Sequence, residues 1–377
     1  MGTRAFDRVD GAGLAAFRAA FGVLLLVLVG RYFLNGWIDA QFYEPALFFP
    51  WPGLEWVRPW PWPRMHVHFA ALGTLAAALT IGFFARWSAF LFGLGFTYVW
   101  LIDRTNYLNH YYLISLLCGI LAVVPASRTV PRWGLWLLRF QVGLVYFFAG
   151  VAKLEPDWLL RGQPLRLWLA QSGWPPELAL FFSWAGAAFD LAIPFLLLWR
   201  RTRLPAFGLL VVFHAATAVL FPIGLFPWVM VVAALAFFSP DWPRRLFRRT
   251  TAVSPQPARP SRAIVTALAV YALVQVLVPL RHALYPGDVL WTEEGFRFSW
   301  RVMLIEKTAD ARFFADDVAV RVEEYLTPVQ ARQMSTQPDL IRDFARLVSR
   351  RLGTPVRAEV WASLNGRPAA RLIDVTR

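Results

Sequence analysis

Lysine is almost absent from this chain. Of 38 basic residues, only Lys153 and Lys307 are lysines, and the rest are arginines. Arginine does not lose its proton in a protein, whereas lysine does so when its surroundings favour the neutral form. Lys153, the only lysine in the apolar two-thirds of the chain, therefore stands out as a candidate base, or as an interfacial residue snorkelling to water. Cysteine is as scarce: Cys118 alone leaves no intramolecular disulfide and no cysteine metal site. Charged residues make up only 16% of the chain, and there is no Lys/Arg-rich run, zinc spacing or Gly-rich phosphate loop. A nucleic-acid partner is thereby excluded in spite of the +14 net charge. No internal repeat is visible, which speaks against transporter folds built from paired halves.

Hydrophobicity is what the chain has. At 58% hydrophobic and 16% aromatic residues over 377 positions, with 19 tryptophans, it reads as a polytopic membrane protein. About nine apolar segments are expected to be transmembrane helices: 14–34, 66–85, 87–102, 110–125, 133–152, 178–199, 204–221, 223–238 and 262–280. The pairs around Arg86 and Pro222 read as tight helical hairpins. The first run is read as a retained helix rather than a signal peptide, because no small-residue cleavage site follows it. Arginine concentrates in alternate loops (Arg86; Arg128 and Arg132; Arg200, Arg201 and Arg203; Arg244, Arg245, Arg248, Arg249 and Arg259). The positive-inside rule then puts the N-terminus in the cytoplasm and the region after the last helix outside. Tryptophans at segment ends, such as Trp51, Trp56, Trp60 and Trp62, are expected in interfacial belts.

A proline-bearing linker is expected at 250–261. After residue 280 the composition turns polar. Strands are expected at 298–305, 318–324 and 357–364, and a helix at 339–352 from the spacing of Leu340, Phe344, Leu347 and Val348. The fold class is thus an all-α polytopic membrane bundle, residues 1–280, with a small α+β extracytoplasmic domain, residues 281–377.

Ionisable groups in membrane segments are costly and are functional candidates by default. They are Arg18, Asp103, Arg104, His110, Arg139, Lys153, Asp190 and His214. Asp190 is expected to satisfy a neighbouring arginine or backbone group. His110, beside Asn109, Tyr111 and Tyr112, shares its predicted depth with Lys153, so the two are expected to share a site. His214 lies mid-helix and reads as structural or pocket-lining. Three histidines without a suitably spaced carboxylate make no metal site.

Seven stretches together resemble the vitamin K-dependent γ-glutamyl carboxylases and their bacterial homologues, the horizontally transferred transmembrane domain proteins. They are LIDRTNYLNHYYL (101–113), LRFQVGLVYFFAGVAKLEPDW (138–158), FDLAIPFLL (189–197), FHAATAVLFPIGLFPWVM (213–230), FFSPDWPRRL (237–246), LWTEEGFRFSWRVML (290–304) and VWASLNGRPAARLID (360–374). They occur in the family order across nearly the whole chain. The resemblance implies that Lys153 is the base that deprotonates reduced vitamin K, and that His110 assists at the glutamate. It implies that Asn109, Tyr112 and His214 lie at the quinol, and that Trp291, Phe296, Ser299 and Trp300 recognise the glutamate. Phe296 departs from the pattern, since the family has tyrosine there. Animal carboxylases also continue past the stretch ending near Asp374, and the family's cysteine pair is missing here.

The implied cosubstrates are reduced vitamin K or menaquinol, O2 and CO2, without a metal. The implied partners are a glutamate-containing peptide or protein and the lipid bilayer, the location being a bacterial inner membrane. A hydroquinone proton is phenol-like, with a pKa near ~10 by analogy with tyrosine, so a neutral lysine of matched pKa suits it. Reaction of the deprotonated quinol with O2 then yields a base strong enough for the glutamate γ-carbon, and the quinol leaves as an epoxide. Such a base needs a dry site. Two other readings remain: quinol epoxidation or oxidation without carboxylation, and a non-catalytic membrane scaffold or transporter.

Overall fold

The computed structural model describes residues 5–221, 223–247, 255–258 and 261–375. Each of the nine apolar segments is helical there: α1 (Ala12–Leu34), α2 (Arg64–Ile81), α3 (Ala85–Leu101), α4 (Asn109–Val123), α5 (Arg132–Ala152), α6 (Leu178–Leu198), α7 (Arg203–Leu220), α8 (Phe226–Ala234) and α9 (Arg262–Leu280). Apolar surroundings enforce this, since a helix satisfies its backbone polar groups internally. Five of them, α1, α5, α6, α7 and α9 (extended to Leu284), are long and apolar enough to cross a membrane. By length and composition these five are the candidate spans among the described residues, and the other four of the expected nine fall short of that measure. The fifteen residues of α4 rise only about 22 Å against a ~30 Å hydrocarbon core. Helix α8 is shorter still, and α2 carries Arg64, His66 and His68.

Successive helices pack as neighbours along two runs, α1 to α4 and α5 to α8, and α8 also packs against α1 and α5. Small residues allow the close approaches: a Cβ on Gly22 of α1 would lie 2.8 Å from the Thr80 backbone nitrogen of α2. Strands β1 (Arg8–Asp10) and β2 (Thr129–Pro131) pair antiparallel at the start of α1 and α5, and Arg8 bridges to Gln256. The rest of the linker expected at 250–261, like Pro222, lies mostly or wholly outside the described residues.

The C-terminal part is a four-stranded antiparallel sheet in the order β4 (Val318–Ala319), β3 (Lys307–Ala315), β5 (Val356–Leu364), β6 (Ala370–Val375). Residues alternate along β5, and Val356, Ala358, Val360, Ala362 and Leu364 are buried. Helices α10 (Pro328–Thr336) and α11 (Pro338–Leu352) cover that face. The expected α11 stripe is present, with Phe344 edge-on to Phe313 at 4.7 Å. Two strand expectations are corrected. Residues 298–305 are not a strand, because Phe298, Trp300 and Met303 have φ of +63°, +58° and +57°, outside the extended region. Residues 318–324 shrink to the two-residue β4 and a single turn at Val322–Glu324.

Charged loops fasten the sheet to the bundle. Arg104 is buried between Asp339, at 2.9 Å, and Asp343, and Asp339 also takes Arg297 at 2.7 Å. Asp103 accepts from the Gln330 amide at 2.7 Å. Asp103 and Arg104 thus join this loop to α10 and α11, the helices that cover the sheet. Trp56, Trp60 and Trp62 are exposed as interfacial residues would be, whereas Trp51 packs edge-on against Trp100 and Tyr107.

Candidate active site

Helix α5 stops at Lys153 because Leu154 and Glu155 lead into Pro156, and the residue before a proline is driven out of the helical region. Snorkelling is ruled out by the geometry. Lys153 is 7% exposed, and its Nζ lies 2.7 Å from Asp190 Oδ2 of α6. The same amine sits 5.2 Å from the centre of the Trp158 ring. Asp190 therefore pairs with the lysine, not with an arginine or a backbone group as expected. The pairing depends on how closely α5 and α6 approach. Gly150, one turn before Lys153, faces Leu191, and a Cβ there would come within 2.7 Å of the Leu191 side chain and 2.9 Å of its backbone nitrogen.

Lys153 and Asp190 line an apolar cavity of about 530 Å³, a volume within the range of small-molecule sites. Its walls include Phe189 and Phe213, with Val302 and Met303 from the segment after α9. His214 of α7 also lines it. The His214 Nε2 lies 2.7 Å from the Tyr146 hydroxyl, while its buried Nδ1 has no partner among the described residues. With the phenol donating to Nε2, the proton of a neutral ring sits on Nδ1, which is then a donor. Tyr146 lies two turns before Lys153 on the same helix face.

The other residues singled out in the sequence sit elsewhere. His110 is buried but does not line this cavity. Phe226, which does, neighbours both histidine rings, with its centroid 6.1 Å from each. Asn109 accepts from the Tyr107 hydroxyl and donates to the Arg301 carbonyl, both at 3.0 Å. Tyr112 stacks on Trp300 at 5.3 Å, and its hydroxyl accepts from Gln275 at 3.2 Å. Both hold the 298–301 segment rather than facing Lys153. Trp300 is fully buried, and the Ser299 hydroxyl is bonded to the Phe296 carbonyl. Trp291 and Phe296 pack in a cluster with Trp158 and Leu165. The second lysine pins this stretch: Lys307 Nζ reaches Glu293 at 2.6 Å, the Trp291 carbonyl at 3.0 Å and the Thr336 carbonyl at 3.1 Å. Just beyond Lys153, burial and the neighbouring Asp157 raise the Glu155 carboxyl to about 7. Among the described residues no cluster of three or more His, Cys, Asp or Glu could hold a metal.

Sequence reasoning missed Tyr146, Val302 and Met303 and misjudged Asp190. One signal was available: Asp190 is the only carboxylate anywhere in the nine apolar helices. A buried lysine in the same bundle needs such a partner.

A helical bundle with spans of membrane length and a lysine-bearing apolar cavity defines a membrane-embedded protein of the HTTM class, and the HTTM domain model matches residues 6–242. The model of the vitamin K-dependent gamma-carboxylase lumenal domain matches residues 260–377. The chain belongs to the vitamin K-dependent γ-carboxylase family. No solved structure matches it.

Proposed function

We propose that this protein is an integral membrane γ-glutamyl carboxylase that couples epoxidation of a reduced naphthoquinone by O2 to carboxylation of glutamate by CO2. The observation that carries the reading is the Lys153–Asp190 pair facing an apolar cavity that His214 also lines. The residues fit a hydroquinone: two hydroxyls need polar partners at separate points, and the ring and isoprenoid tail need apolar walls. Lys153 and the unpartnered His214 Nδ1 supply the former, and Phe189 and Phe213 belong to the latter. When bound, the reduced naphthoquinone supplies with O2 the strong base that takes the γ-proton of glutamate.

The chain's own part is to take and hold a proton. Lys153 Nζ, as the free amine hydrogen-bonded to the Asp190 carboxylate, accepts the hydroquinone proton, and Asp190 orients the amine and neutralises the ammonium that forms. Tyr146 fixes the His214 tautomer so that Nδ1 donates to the far oxygen. The apolar walls keep water out, which protects a base that water would quench. His110, behind Phe226, acts on the glutamate side, and Asn109 and Tyr112 shape the quinol end by holding the 298–301 segment. Trp291, Phe296, Ser299 and Trp300 form the frame that brings Val302 and Met303 to the cavity, where the glutamate enters. We assign residues 1–280 to the membrane part and 281–377 to an extracytoplasmic α+β part, with menaquinol as the quinol in a bacterial inner membrane. The partner is a glutamate-bearing peptide or protein.

Turnover of the purified protein with reduced vitamin K, O2, labelled bicarbonate and a short glutamate peptide tests this. The expected result is epoxide together with incorporated label. Epoxide without label would favour the oxidase-like reading that Phe296 keeps open. Neither product from folded protein would contradict the enzyme reading.

A further inference from the structure

At the far end of α5, some 21 residues and about 30 Å from Lys153, the loops that set the topology converge on a second cavity of about 750 Å³. Five arginines line it: Arg132, Arg139, Arg200, Arg203 and Arg245. Its two carboxylates are already engaged, Asp10 by Arg244 and Asp241 by Arg245, at 2.7 and 2.6 Å. Among the described residues, Arg132, Arg139, Arg200 and Arg203 have no carboxylate partner. Two of them cap helix ends. Arg139 donates to the Ala236 and Phe238 carbonyls at 2.8 and 3.0 Å, and Arg203 to the Leu197 and Leu198 carbonyls at 2.9 and 3.0 Å. Among the described residues neither has an acceptor on its Nη1. Arg132 Nε is buried with no hydrogen-bond partner among the described residues. The like charges acting on Arg139 are those of Arg203 and Arg132.

Positive-inside topology needs arginines at this end of the bundle, but it is served by arginines spread in water. Gathering them round one cavity, with a buried donor left open, costs mutual repulsion and desolvation that a bound anion relieves. We propose that this cavity binds the phosphate headgroup of an anionic phospholipid in the leaflet at the arginine-rich end. The choice of a lipid over a soluble anion rests on the flank: Leu204, Trp199 and Trp136 are 70, 59 and 45% exposed beside the arginines, where acyl chains would lie. Basic pockets between membrane helices are suited to such headgroups.

The test is binding of fluorescent phosphatidylglycerol to the full-length protein in neutral detergent, with fluorescent phosphatidylcholine and inorganic phosphate as the comparison arms. Saturable phosphatidylglycerol binding is expected, resisted by phosphatidylcholine and by phosphate. Arg132→Gln and Arg200→Gln should each weaken it roughly fivefold, whereas Arg201→Gln, on the same loop but off the cavity, should leave it unchanged. Arg200 is exposed and makes no side-chain bond among the described residues, so its variant keeps the test valid should Arg132→Gln not fold. Equal binding of phosphatidylcholine would overturn the proposal. So would equal weakening by Arg201→Gln, which would mean diffuse attraction, or full displacement by phosphate, which would mean a soluble anion.

Discussion

A single lysine and a single carboxylate meet inside the bundle, and neither is there for want of alternatives in an arginine-rich chain. A lone charge in a membrane interior is costly, and removing one member of a buried pair leaves the other uncompensated. Asp190 is therefore more than a counter-charge to be tolerated, because it fixes the direction in which the Lys153 amine points. Asp190→Asn keeps the shape and removes the charge that neutralises the ammonium. Initial rates of epoxide formation, followed by chromatography, are expected to fall by about 10²-fold or more. A rate within about threefold of the unmodified protein would show that the carboxylate has no part in proton transfer.

The pair is made by helix packing, and Gly150 is where packing decides it. A methyl group there meets Leu191 at backbone distance, so α5 and α6 must separate or tilt. Overpacking of this kind costs roughly 1–3 kcal/mol. Gly150→Ala should lower the unfolding temperature and also reduce epoxide formation by drawing Lys153 away from Asp190. Lowered stability with full activity would contradict the coupling of packing to chemistry. The loop leaving α5 carries its own signature. Because burial and Asp157 raise the Glu155 carboxyl from its ordinary value of 4.5 to about 7, the folded state holds that proton more tightly than the unfolded state does. Stability from this group is greatest below pH ~4.5 and is lost as pH rises through about 7. Glu155→Gln should accordingly flatten the decline in stability across that window, read by denaturant unfolding at successive pH values.

At the scale of the whole molecule, the sheet and the bundle are joined through a few charged contacts. One of them is Arg104, buried with its side chain 5% exposed between Asp339 and Asp343 of α11. Arg104→Ala should destabilise the protein by about 3 kcal/mol and speed proteolysis within the C-terminal strands. Unchanged proteolysis would mean that the sheet holds its place without this contact.

The helices were legible because hydropathy reports an apolar environment directly, and α11 because its stripe has the helical period. The number of spans was less legible, since apolarity alone does not separate the fifteen-residue α4 from a helix of full spanning length. The 298–305 segment was unreadable as a non-strand: its positive φ values go with its being held against Tyr107 and Tyr112, both distant in sequence. Lys153 was legible from its rarity. Its partnership with Asp190 spans 37 positions and follows from the Gly150 contact, which no local pattern announces. His110 shares a predicted depth with Lys153, but depth does not determine which way a side chain faces, and it is its neighbour Phe226, with His214, that lines the cavity.

The most direct test of the central claim, that the Lys153 amine is the base, is the rate of quinol epoxide formation by Lys153→Arg beside Lys153→Ala with added small primary amines. The account predicts that arginine, which keeps the charge but cannot accept the proton, leaves activity at least about 10²-fold down. It also predicts that the alanine variant recovers in proportion to the free amine supplied. Near-normal epoxidation by Lys153→Arg would contradict it and reduce Lys153 to the structural partner of Asp190.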